Sequence, residues 1–133
     1  MVLVDTSVWI DFFNGVESAE ANELDGLLGS GRILIGDLIL AEILQGFPRD
    51  ADYRRARKLL ADVPYADLVG REVALAAADN YRILRSRGVT VRKTIDVIIG
   101  TFCIVNAHEL LHSDRDFDPM EHALGLRIYR LTR

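Results

Sequence analysis

Short apolar runs, each too brief to make a helix, alternate along this chain with stretches patterned for helices, and this alternation most restricts the fold. Val2-Leu3-Val4, Ile33-Leu34-Ile35, Glu109-Leu110-Leu111-His112 and Leu126 to Leu131 read as strands. The first two are separated by Val8 to Phe13, stopped at Asn14-Gly15, and by Ala19 to Leu28, capped by Ser18 and ended by Gly29-Ser30-Gly31. Leu38 to Gln45 follows an Asp37 cap, and Asp50 to Val63 runs up to Pro64. A short extended piece around Ala66 to Val69 precedes the alanine-rich Arg71 to Ser86, which stops at Gly88; Thr94 then caps Ile95 to Val105. Strands joined through helices require crossover connections, so the expected fold is α/β, with a central mostly parallel sheet and helices on both faces. In 133 residues without a repeat, low-complexity tract or Pro/Ser-rich linker, the expectation is a single domain, 1–133.

The longest nearly apolar stretch, Val97 to Val105, is about half of the roughly 20 residues a membrane helix needs. Val2-Leu3-Val4 is followed at once by Asp5, which predicts no secretory leader and a cytoplasmic location. Cys103, the only cysteine, sits in an apolar run and reads as a small core residue; four-cysteine and Cys2His2 zinc frameworks are excluded. Trp9, Phe12 and Phe13 read as core at helical spacing. The net charge of −4 argues against indiscriminate coating of nucleic acid, but the charge is segregated. Residues 1–53 balance at −8, residues 54–93 at +6 and residues 94–133 at −2.

In parallel sheets the functional crevice lies outside the carboxyl ends of the strands. Asp5 stands at the end of the first strand and Asp114 just past the strand at 109–112, so both face one rim. Asp96 lies in the first turn of the helix before that second strand. Glu42 is flanked by Leu38, Ile39, Leu40, Ala41, Ile43 and Leu44, a setting expected to be buried, where a carboxylate is costly without compensation. Singly, Asp5 serves as a helix cap, Asp96 as a favourable charge at a helix start, and Asp114, Asp116 and Asp118 as turn residues. Together they repel one another unless they bind protons or share a cation. Oxygen-only ligands suit Mg2+ or Mn2+, which acidifies water and binds phosphate, so the chemistry expected is phosphodiester hydrolysis.

Four blocks in this order carry a resemblance: Val4-Asp5-Thr6-Ser7-Val8-Trp9-Ile10, Ala41-Glu42-Ile43-Leu44-Gln45-Gly46, Thr94-Ile95-Asp96-Val97-Ile98-Ile99-Gly100-Thr101 and His112-Ser113-Asp114-Arg115-Asp116-Phe117. Over essentially its whole length the chain resembles the PIN-domain family, in particular its VapC toxin ribonucleases. The resemblance implies a three-layer α/β/α fold and Mg2+- or Mn2+-dependent endoribonuclease activity as the toxin of a toxin–antitoxin pair. It also implies a homodimer and inhibition by a VapB-type antitoxin. By block-for-block match, Asp5 and Asp96 are the main metal ligands, Asp114 completes the cluster, and Glu42 holds or deprotonates a metal-bound water. Ser7 is then a hydrogen-bonding group behind the ligands. The last block offers three acids, with Asp114 favoured over Asp116 and Asp118.

RNA approaching an acidic crevice needs cations beside it. Arg92 and Lys93 directly precede the Asp96 helix, with Arg82, Arg85 and Arg87 behind them; Arg54, Arg55, Arg57 and Lys58 form a second block. Tyr53, Tyr65 and Tyr81 are too few for a base-stacking platform. One rival reading is a zinc peptidase, since His108-Glu109-Leu110-Leu111-His112 fits H-E-x-x-H, with Asp118 or His122 as third ligand. It requires the helix from Ile95 to continue through His112. The other is a non-catalytic Mg2+-binding regulatory domain with Asp37 as phosphoacceptor, which lacks the required late lysine.

Overall fold

A computed structural model describes residues 1–131 of the chain. The chain runs β1 (Val2–Val4), α1 (Thr6–Phe13), α2 (Ala19–Leu27), β2 (Ile33–Gly36), α3 (Asp37–Gln45), α4 (Asp50–Leu60) and β3 (Tyr65–Ala66). It continues through α5 (Gly70–Ser86), α6 (Thr94–Val105), β4 (Glu109–Leu111), a 3-10 turn at Arg115–Phe117, and α7 (Asp118–Leu124). The four strands form one parallel sheet in the order β3-β2-β1-β4. β1 and β2 are buried at every position, as strands covered on both faces must be. Helix α1 packs on α2 and α3, and α5 on α6 and α7, giving the three-layer α/β/α arrangement.

Local chemistry accounts for most boundaries. Asp5 caps α1 through the Ser7 N–H, and Ser18 caps α2 through that of Ala21. Two expected caps are displaced: Gly36 is the N-cap of α3 and Lys93 that of α6. Asp37 is instead the first helical residue, and its Oδ1 accepts from Leu38 N–H at 2.8 Å and Leu68 N–H at 3.0 Å, tying α3 to the chain after β3. Helix α4 ends at Leu60 rather than Val63, because Asp62 and Val63 form a turn before Pro64. The expected strand at 126–131 reduces to one parallel bridge, Leu110 with Ile128. The sequence reading leaves out α7, although Pro119 at its start and Gly125 in the left-handed region at its end (φ 73°) are ordinary helix signals.

Helix α6 is the central helix, with Val97, Ile99, Gly100, Thr101, Phe102 and Cys103 all buried. Gly100 is there for space: a Cβ on it would stand 2.6 Å from Met120 Sδ of α7. This close approach holds α7 and the turn before it against α6, next to Asp96.

Candidate metal centre

Strands β1 and β4 are parallel neighbours, while the chain leaves β1 for β2 on the other side. Connections diverge at this point, which opens a crevice outside the carboxyl ends of β1 and β4. Asp5 stands at that rim, where its N–H donates to Leu111 O at 2.9 Å and its side chain is buried. Its Oδ2 accepts from Ser7 N–H at 3.1 Å and Ser7 Oγ–H at 2.6 Å, and Ser7 Oγ in turn accepts from Ser113 N–H at 3.2 Å. The Ser7 hydroxyl therefore couples the Asp5 carboxylate to the loop after β4.

That loop brings in the other acids. Asp114 Oδ1 accepts from Asp116 N–H at 2.9 Å, closing the 3-10 turn, and Asp114 N–H donates to His112 Nδ1 at 3.1 Å. Phe117, fully buried and packed on the His112 ring at 5.0 Å, anchors the turn in the core. Carboxylate oxygens of Asp96, Asp114 and Asp116 all lie within 4.8 Å of one another.

Asp96 is the buried member, 6% exposed, and its Oδ2 has no hydrogen-bond partner among the described residues. Burial raises its carboxyl from 3.8 to about 6; Lys93 opposes the rise, and the charges of Asp5, Asp114 and Asp116 add to it. A buried, unpartnered carboxylate oxygen facing two more carboxylates is costly unless a cation is shared. The trio fits Mg2+ or Mn2+ in donor chemistry and in size, since an ion with bonds of about 2.1 Å places opposite ligands about 4.2 Å apart. Asp118 starts α7, exposed and outside the trio.

Glu42 is half-buried rather than buried, because α3 has partly open faces: Ala41 is exposed and Leu38, Leu40 and Leu44 are only partly covered. The hydroxyl of Thr6, the residue after Asp5, donates to Glu42 Oε1 at 2.8 Å and ties it to the β1 rim. Glu42 also lines a groove of about 540 Å³ with Ile10, Phe13, Ile43, Phe47 and Leu59.

The cations sit on the acids. Lys93 Nζ is 4.0 Å from Asp96 Oδ2 and 3.9 Å from Asp114 Oδ2, and Arg92 Nε is 3.6 Å from Asp116 Oδ2. A cleft of about 80 Å³ lined by Arg92, Lys93, Asp96, Arg115 and Asp116 adjoins the trio. Arg85 and Arg87 are exposed at the end of α5, whose Leu84 reaches the same cleft. Sequence reasoning missed Thr6, Ser113 and Arg115. Only Thr6, a hydroxyl beside Asp5, carried a signal, whereas the other two act through a backbone amide and a loop position.

The zinc reading fails on geometry. Helix α6 stops at Val105, Ala107 turns the chain at φ 57°, and His108 to His112 runs along β4. Four residues of strand separate the two histidines by about 13 Å, far beyond one ion. His108 Nδ1 instead faces the Met1 amine at 3.3 Å. The phosphoacceptor reading fails because the Asp37 carboxylate is engaged by backbone amides.

The PIN domain family matches residues 2–122. Ribonuclease VapC11 of Mycobacterium tuberculosis is 32% identical over 129 residues, covering 96% of each chain. Among solved structures, VapBC2 from Rickettsia felis, bound to a DNA fragment from its promoter, superposes with a TM-score of 0.78 at 16% identity, over 99% of this chain and 100% of that one. VapBC-1 from nontypeable Haemophilus influenzae gives 0.74 at 18% identity over the whole of both chains. A match of this extent places the chain in the PIN-domain family, on its VapC branch.

Proposed function

We propose that the chain is a Mg2+- or Mn2+-dependent endoribonuclease acting in the cytoplasm as the toxin of a toxin–antitoxin pair. The observation that carries this reading is the buried Asp96 carboxylate, whose Oδ2 makes no hydrogen bond among the described residues, with an oxygen within 4.8 Å of Asp114 and Asp116 oxygens and Asp5 close enough for its charge to act on it. The 32%-identical M. tuberculosis relative, a ribonuclease, supports it. Asp5, Asp96, Asp114 and Asp116 would hold the ion. When bound, a divalent ion acidifies water and screens charge on the phosphate.

Arg92, Lys93, Arg85 and Arg87 position the RNA backbone without reading its sequence. Glu42, oriented by Thr6, accepts a proton from the attacking water as the water oxygen bonds to phosphorus; the ester P–O bond breaks, and the leaving oxygen keeps the bonding pair and takes a proton from solvent. Ser7 holds the Asp5 carboxylate in place by donating to its Oδ2. The VapBC complexes among the structural relatives support a VapB-type antitoxin partner, for which the groove beside Glu42 offers a surface, and we propose that the chain pairs as a homodimer.

The test is cleavage of RNA by purified protein with Mg2+ or Mn2+, followed by sequencing of new 5′ ends. EDTA is expected to silence it, and Asp5→Asn to reduce it about 100-fold or more with the fold kept, because Asn still caps α1. Full cleavage by Asp5→Asn, or a stronger effect of a zinc-selective chelator than of EDTA, would defeat the reading.

A further inference from the structure

We propose that Lys93 is a resident counter-ion of the acidic site, supplying part of the charge of the divalent ion and withdrawing when the ion arrives. Lys93 thereby sets the ion concentration at which the site fills. The inference rests on the metal reading above and concerns a residue outside the ligand set.

The geometry is that of an ion held by charge rather than by hydrogen bonds. Nζ lies 3.9 Å from Asp114 Oδ2 and 4.0 Å from Asp96 Oδ2, between carboxylates contributed by two different segments. Both distances exceed a hydrogen bond, and Asp96 Oδ2 keeps no hydrogen-bond partner among the described residues despite the ammonium nearby. An ammonium so placed lowers the mutual repulsion of the carboxylates but leaves their oxygens open to a stronger cation.

The tether and the exit are both built in. Lys93 is the N-cap of α6 with extended backbone (φ −135°, ψ 121°), and its carbonyl accepts from Asp96 N–H at 3.2 Å. The root of the side chain is thus fixed within one turn of Asp96, which keeps the amine at high effective concentration over the site. The side chain is 54% exposed, against 9% for Asp96, so its stem swings into solvent without disturbing the core.

Charge decides which cation stays. The trio carries three negative charges against one ammonium and the Arg92 guanidinium at 3.6 Å from Asp116, leaving net negative charge that Asp5 increases. A divalent ion together with the Arg92 guanidinium offsets the trio's three charges, and at short range it repels the ammonium held about 4 Å from its ligands. The displaced amine then stands at the rim, where an arriving phosphate takes it as a partner.

Mn2+ binding to the full chain without RNA, read as free Mn2+ by electron paramagnetic resonance at low ionic strength, tests this. Lys93→Met is expected to bind Mn2+ about tenfold more tightly than wild type. Lys93→Arg, which keeps the charge, is expected to bind as wild type, and Lys93→Gln to follow Lys93→Met. Thermal unfolding in EDTA confirms that each variant folds. Equal or weaker Mn2+ binding by both neutral variants, with binding still abolished in Asp96→Asn, would overturn the counter-ion role and leave the metal site standing. Undiminished Mn2+ binding by Asp96→Asn would instead overturn the metal reading itself.

Discussion

Asp96→Asn is expected to lower divalent-dependent RNA cleavage by about 10³-fold or more, while making the metal-free protein more stable at neutral pH by about 2 kcal/mol. The two effects have one cause. The Asp96 carboxyl is raised from 3.8 to about 6 by burial and by its acidic neighbours, so between these values the folded chain holds a proton that the unfolded chain has released. The metal-free protein therefore loses stability as pH rises from about 4 to 6, and the loss persists above. Asn has no charge to desolvate, so this part of the pH dependence vanishes. Denaturant unfolding in EDTA at pH 5 and pH 8 reads the part of the loss that falls above pH 5: wild type is weaker at pH 8 by that part and the variant is not. Added Mg2+ stabilises wild type by mass action and leaves the variant unmoved. A variant that unfolds earlier than wild type at pH 8 in EDTA, or that cleaves normally, contradicts the assignment.

The largest stability loss is expected at Phe117. The ring is fully buried, packs on His112, and anchors the turn carrying Asp114 and Asp116. Phe117→Ala leaves a cavity and is expected to cost about 3–5 kcal/mol. For a chain of this size that lowers the midpoint by about 10 °C or more in thermal unfolding. Cleavage at a temperature where the variant remains folded is expected to fall further than that of Phe102→Ala, which opens a core cavity in the middle of α6. The separation arises because the turn holds two carboxylates by one aromatic anchor, whereas Asp96 is held by a 12-residue helix. Equal activity losses in the two variants would show that the turn is held by something else.

Much of the fold was legible because its signals are local. A three-residue apolar run ended by Asp5, the Ser18 cap and the Gly88 stop each act within one or two turns of chain, and the structure keeps these elements with boundary shifts of a residue or a few. The misses were also physical. Thr94 and Asp37 are good caps by type, yet Lys93 and Gly36 hold the cap positions, and the Asp37 carboxylate instead accepts from the Leu38 and Leu68 amides. Leu126 to Leu131 has strand composition, but only Ile128 finds a bridging partner on β4. Glu42 was expected to be buried because its neighbours are apolar, and those neighbours are themselves half open.

By itself the sequence determined the order and kind of the main elements, the parallel crossover topology, and the acids that could meet at one rim, since periodicity, caps and carboxylate chemistry depend on residue type and short spacing. Tertiary structure alone decided that β4 lies beside β1, that Asp114 and Asp116 both reach Asp96, and that Lys93 hangs between two of them. Those facts are distances between residues brought together by packing, and a few ångströms separate a shared ion site from a row of unrelated surface charges.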